Sequence, residues 1–272
     1  MSFGMVELDL TQCRHRDGFG DETVLLYSSG LDAYCLYELI EPAKCLFIDP
    51  GTEEAEAEKI LAQRMLADDE YYHIDFPLIA QNEQEDHDVA FRNTLFVLLA
   101  GFYGRDVVVG ATHGDVWLPS LPGDSTRGWA RDVEQLMNEY HPRERGWRVR
   151  IPADNYTKAE LVEAVLEQTD TEPEDIVQNS RSCHDVPTDD LVSQCGDCYG
   201  CARRFMAIVL GMYRVGYDVE YAVDVALTGM VDVPWLFEND DFRENMYYRH
   251  REYADLLLFD EIMSEVYDSL AM

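Results

Sequence analysis

Four cysteines, Cys183, Cys195, Cys198 and Cys201, are spaced C-x11-C-x2-C-x2-C within SCHDVPTDDLVSQCGDCYGC. Thiolates clustered this tightly can converge on one tetrahedral ion, and Zn²⁺ favours four such soft ligands in a closed structural site. Gly196 and Gly200 supply the tight turns that fold the chain back around an ion. An iron–sulfur cluster is the competing metal reading. Two disulfides, or four unrelated buried thiols, are the non-metal readings. His184 adjoins Cys183, but four cysteines complete a tetrahedron, so it reads as a solvated loop residue.

A second candidate lies near the start, in TVLLYSSGLDAYCL. Small residues between a strand and a helix leave backbone N–H groups open at the helix N-terminus, which favours bound phosphate. Ser28 and Ser29 add hydroxyl donors. The loop is neither a Walker A sequence nor a dinucleotide fingerprint, since G-x-x-x-x-G-K-[ST] and G-x-G-x-x-G are both missing. Lys158 is a third candidate, one of only three lysines with Lys44 and Lys59. It opens a helix, where a cation opposes the dipole. A phosphate partner would explain it, and replacing it with alanine is expected to cut turnover and leave folding intact.

The elements that must position these residues alternate. Strands are expected at 23–27, 43–48, 71–74, 106–110 and 147–151. Helices are expected at 33–40, 53–67, 92–103, 131–140 and 202–213, with a Thr157–Glu160 capping box between the last strand and the cysteines. Gly/Pro-rich 111–123 and polar 81–88 read as loops. This spacing implies an α/β fold, a parallel sheet covered on both faces. Ligands then bind beyond the carboxyl ends of the strands, among 28–32, 49–52 and 111–124. The simplest partition is an α/β domain over 1–180 and a metal-binding helical region over 181–272. The aromatic-rich stretch from 217 onward reads as two helices packed on the domain or as a dimer interface.

The formal net charge is −33, from 21 Lys+Arg against 54 Asp+Glu. Such a surface repels phosphate backbones, which argues against nonspecific nucleic-acid binding. It also fits a high-salt cytoplasm, where screening weakens self-repulsion. No apolar run is long enough to span a bilayer and no secretory leader is visible, so a cytoplasmic protein is expected. Cys13, Cys35 and Cys45 would be free thiols there.

In this context SSGLD resembles the S-G-G-x-D-S pyrophosphate loop (PP-loop) of the ATP pyrophosphatases, a Rossmann-like family of adenine-nucleotide enzymes. Within it, the chain resembles the 7-cyano-7-deazaguanine (preQ0) synthases from about residue 24 to 204. The matching segments run in order: CLFIDPGT, FRNTLFVLLAGFYG, VVVGATHGD, LPGDSTRGWARDVEQLMN, RVRIPADNYTKAEL and SRSCHD…CGDCYGCARR. Arg204 matches an arginine three residues past the last cysteine. The resemblance implies an ATP-dependent ligase that converts 7-carboxy-7-deazaguanine and ammonia to the nitrile. It also implies Mg²⁺ with the ATP, structural Zn²⁺ on the four cysteines, and a homodimer.

By the same resemblance Ser28, Ser29, Gly30 and Asp32 hold the pyrophosphate and its metal, and Asp49 and Gly51 border the adenosine. Arg92 faces phosphate or the substrate carboxylate beside Asn93. Gly110, Thr112 and Asp115 line the crevice, Asp124 receives the guanine-like edge, and Lys158 offsets phosphate charge. Three positions depart from the pattern. Ser29 replaces a glycine, which would cost about 1 kcal/mol if φ is positive there. Ala33 replaces a serine, and DPGT lacks an aromatic residue and a glutamine. These departures leave open a reaction that stops at the amide, a related deazapurine substrate, or a degenerate nucleotide-binding module. A tRNA-modifying relative would need a basic face, which the charge argues against.

Overall fold

The computed structural model describes residues 22–66, 70–77, 91–116, 125–141, 146–183, 193–230, 240–249 and 251–270. Five short strands form one sheet: β1 (Thr23–Leu26), β2 (Lys44–Asp49), β3 (Tyr71–Asp75), β4 (Asp106–Val109) and β5 (Arg148–Arg150). All are parallel, in the order β3-β2-β1-β4-β5. Central β1 pairs Leu26 with Leu46 of β2 on one side and Val109 of β4 on the other.

Alternation along each strand splits the apolar residues between two cores, as a doubly covered sheet requires. Leu25, Cys45 and Val108 face one core. Val24, Leu46, Val107 and Val109 face the other. Helices α1 (Leu31–Ile40) and α2 (Glu53–Met65) cover the first face, whereas α3 (Arg92–Ala100) and α5 (Arg127–Tyr140) cover the second. The winding direction therefore reverses between β1 and β4, which makes their carboxyl ends the switch point where doubly wound sheets bind ligands.

Two helices form where loops or nothing was expected. The short α4 (His113–Val116) interrupts the stretch after β4. Helix α7 (Pro173–Asn179) follows α6 (Lys158–Gln168) and starts with Pro173 and a Glu172/Asp175 capping box. Helix α5 begins at Arg127 rather than 131, because the Thr126 side chain caps it by accepting from Trp129 N at 3.1 Å. The Thr157/Glu160 capping box of α6 is present. Then come α8 (Tyr199–Arg214), which contains the last cysteine of the cluster, α9 (Val219–Leu227), α10 (Asp240–Tyr248) and α11 (Arg251–Leu270). Their Phe205, Ala222, Phe242 and Leu256 join the core that holds α1 and α6, so the C-terminal region shares a core with the sheet. Among the described residues no helix is long and apolar enough to cross a membrane.

Helices α6 and α8 meet closely at Gly211. A Cβ there would lie 2.5 Å from Val162 Cγ1 and 3.0 Å from Glu163 N. Gly211→Ala should lower stability by about 1–3 kcal/mol through overpacking. The urea midpoint would fall at constant m; an unchanged midpoint would mean the two helices separate without cost.

Candidate functional site

The chain leaves β1 through Tyr27–Gly30 and enters α1 at the switch point. Ser29 has φ +56°, the left-handed conformation that disfavours a side chain, so serine carries the strain expected there. Its surroundings hold it in place. The buried hydroxyl donates to Glu58 O at 2.7 Å, and its carbonyl accepts from Arg181 N at 2.7 Å. The Ser29 hydroxyl is therefore spent on α2 and is not the crevice donor expected from the sequence. Exposed Ser28 accepts from Gly30 N at 3.3 Å, and Gly30 caps α1 with backbone alone.

Asp32, in the first turn of α1, meets Lys158 Nζ, the first residue of α6. Lys158 also lies 3.5 Å from Asp115 Oδ2. The lysine that opposes its own helix dipole is thus matched by two carboxylates of the protein, and a phosphate would have to compete with them.

Asp115 is the hub. Its Oδ2 accepts from Thr112 Oγ1 at 2.8 Å, and its Oδ1 takes Arg203 Nη1 at 3.0 Å and Arg249 Nη1 at 3.1 Å. Arg203 forks onto Glu252, with Nε–Oε2 at 3.1 Å and Nη2–Oε1 at 2.6 Å. Both guanidiniums sit over the Tyr199 ring, 5.6 and 5.3 Å from its centroid. Burial alone would raise Asp115, but Arg203, Lys158 and Arg249 outweigh it and hold its carboxyl well below the usual range. Burial wins at Asp32 and raises it despite Lys158. Burial opposes the Lys158 charge too, yet Asp115 and Asp32 more than compensate and raise it.

Buried Thr112 is committed to Asp115, and Gly110 packs against the backbone of Ala33 and Asp32. Loop 28–32, residues 110–115 and Lys158 therefore meet at one place. Asp49 and Gly51 lie at the end of the next strand. There Asp49 Oδ1 accepts from Gly51 N at 2.7 Å, closing a turn in which Gly51 has φ +85°. Asp49 groups with His73 and Asp75, whose ligand atoms lie within 4.8 Å of one another. Arg92 is exposed at the start of α3, and Asn93 is half-buried beside it. Asp124, His184 and the polar loop 81–88 lie outside the described residues.

The four cysteines converge, with all Sγ atoms within 4.8 Å of one another. Cys183–Cys195 is 3.4 Å and Cys195–Cys201 is 3.8 Å. A Zn–S bond of about 2.3 Å gives a tetrahedron with edges of about 3.8 Å, so these thiols fit an ion such as zinc. A disulfide needs about 2.05 Å, and none of the four is in one. Backbone N–H groups of Cys195, Cys198 and Cys201 point at Cys183, Cys195 and Cys198 sulfurs at 3.3, 3.3 and 3.4 Å. Cys198 also caps α8. Arg204 is fully buried, bound to Ser180 Oγ and Val177 O, with no carboxylate partner among the described residues. Burial pushes it down to about 10, and the neighbouring Cys201 sulfur works against that. A metal tetrathiolate, which carries excess negative charge, suits such a neighbour. Cys35 and Cys45 are buried packing residues.

No family model, curated protein or solved structure matches this chain.

Sequence reasoning passed over Arg203, Arg249, Glu252 and Tyr199. Arg203 adjoins Arg204, and successive helical residues point about 100° apart, so one faces Asp115 while the other stays beside the cysteine cluster. Arg249 and Glu252 lie beyond the resemblance and had no signal.

Two outcomes follow from these contacts. Lys158→Met leaves buried Asp32 without its cation and should cost about 3–5 kcal/mol. Asp32 is raised when folded, so it favours the folded state at low pH and loses that contribution as pH rises past the usual carboxylate value. The loss in Lys158→Met should then be largest at neutral pH and shrink towards pH 4, as read by urea titrations. A loss that does not change with pH would show that Asp32 is not left charged. Cys198→Ser keeps a helix cap but removes a soft ligand. Elemental analysis should give about one metal per wild-type chain and much less in this variant; equal loading would remove Cys198 from the site.

Proposed function

We propose that this chain is an ATP-dependent carbon–nitrogen ligase that converts 7-carboxy-7-deazaguanine and ammonia to 7-cyano-7-deazaguanine. One observation carries the reading. The S-S-G-x-D loop sits at the β1/β4 switch point with a left-handed second residue and with Lys158 against its aspartate. Serine at position 29 keeps the turn that a glycine would supply, so the departure there leaves the loop's path compatible with a pyrophosphate loop.

In this reading the substrate carboxylate attacks the α-phosphorus of ATP and pyrophosphate leaves. Ammonia then displaces AMP to give the amide and loses a proton. The amide oxygen attacks the α-phosphorus of a second ATP and pyrophosphate leaves; loss of AMP and of both amide protons then leaves the nitrile. Lys158 offsets phosphate charge, after exchanging Asp32 for the ligand. Asp32 Oδ1 is buried without a hydrogen-bond partner, which fits a cation at this carboxylate. Mg²⁺ held there would neutralise the triphosphate and polarise the phosphoryl group under attack. Water must be excluded to protect the adenylate. The metal on the cysteines is structural, and a reducing cytoplasm suits it and the free thiols.

A second reading, arrest at the amide, rests on Ala33, which is buried and offers no hydroxyl donor where the family has serine. Incubation with 7-carboxy-7-deazaguanine, ammonium and Mg-ATP in molar KCl, followed by mass analysis, decides between them. The nitrile with AMP and pyrophosphate supports the main reading, and amide alone supports the second. Unchanged acid after salt and metal are optimised defeats both.

A further inference from the structure

Residues from beyond the family resemblance pack against α4. Arg249 stands between α10 and α11, and Glu252 lies in the first turn of α11. Arg249 Nη1 donates to Gly114 O at 2.7 Å and to Asp115 Oδ1 at 3.1 Å, while its Nε donates to Asn245 at 3.3 Å. The arginine is 8% exposed. A Cβ on Gly114 would overlap the Glu252 carboxylate, so α4 and α11 approach as closely as glycine allows.

Three cations meet three carboxylates. Arg203 holds Glu252 with both prongs and also reaches Asp115 through Nη1. Lys158 is held by Asp32. Arg249 is the second guanidinium on Asp115 and has no other carboxylate partner among the described residues. Asp115 divides its two oxygens accordingly: Oδ1 receives the guanidiniums, and Oδ2 faces Thr112 and, at 3.5 Å, Lys158. Lys158 thus has one firm partner on the phosphate-loop side and one looser partner on the extension side. Loss of Arg249 would leave Asp115 with Arg203 alone, which it shares with Glu252, and would draw the ammonium towards Asp115, because a buried carboxylate short of positive charge gains most from the nearest cation.

We propose that Arg249 is a positioning residue: by balancing Asp115 it keeps the Lys158 ammonium turned to the loop of Ser28–Asp32, which makes the C-terminal extension part of the site. Its consequence for nucleotide binding rests on the ligase reading, whereas its consequence for Lys158 does not.

Three lysines make the test direct. Protein labelled with ¹³C at lysine Cε gives three signals, assigned by Lys→Arg replacement one at a time. In Arg249→Met the Lys158 signal should move while Lys44 and Lys59 stay fixed. KM for Mg-ATP should rise about tenfold, the scale of one lost hydrogen bond to a charge, with a much smaller fall in turnover at saturation. Arg249→Lys should restore most of both. Should Arg249→Met fail to fold, Arg249→Gln still donates to Gly114 O without a charge and takes the same readouts. A folded variant with a wild-type Lys158 signal and unchanged KM overturns the proposal. A wild-type protein that binds no Mg-ATP defeats the ligase reading, and the lysine signal then decides the positioning role alone.

Discussion

The structure depends on a buried cluster of alternating charge centred on Asp115. Lys158, Arg203 and Arg249 face Asp32, Asp115 and Glu252, supplied by α1, α4, α6, α8 and the α10–α11 segment. Removing charges from water is costly, and the attraction between them repays it only when each is paired and hydrogen-bonded. Local features that look unfavourable alone follow from this. Lysine at the wrong end of a helix dipole is tolerated because two carboxylates await it. Gly114 is required because Glu252 leaves no room for a side chain. The cluster also fixes the distance between the carboxyl edge of the sheet and the C-terminal helices.

The same cluster bears on the acidic composition. Basic residues are scarce, yet Arg181, Arg203, Arg204 and Arg249 are all buried. These arginines hold elements together from within, and they are matched by buried carboxylates, Asp32, Asp106, Asp154, Glu160, Glu252 and Asp255, so the excess negative charge stays on the surface. Screening by salt weakens repulsion on that surface far more than it weakens the buried pairs.

The cysteine knot acts on the site indirectly. It ties segment 180–183 to the start of α8. From one side, Arg181 N reaches the strained carbonyl of Ser29, and from the other, α8 carries Arg203 to Asp115. An ion that fixes four sulfurs thus fixes both the outer wall of the loop and the direction of a guanidinium. The binding energy of such an ion is realised as folding energy, because the ligands are not assembled in the unfolded chain.

Sequence alone determined the features that are local. Strand–helix alternation gave a parallel α/β sheet, the Thr157–Glu160 capping box was written in four residues, and cysteine spacing marked a four-thiol cluster able to hold a metal ion, because each depends on neighbours a few positions apart. The left-handed turn at Ser29 was legible only as a condition, through comparison with a glycine. Tertiary structure alone decided where the side chains spend their bonds. It turned the Ser29 hydroxyl to Glu58, gave Lys158 to Asp32, and brought Arg249 across 134 residues to Asp115. Charge pairing at that separation leaves no periodicity in a sequence, since only the packing of α8, α10 and α11 brings the partners within reach.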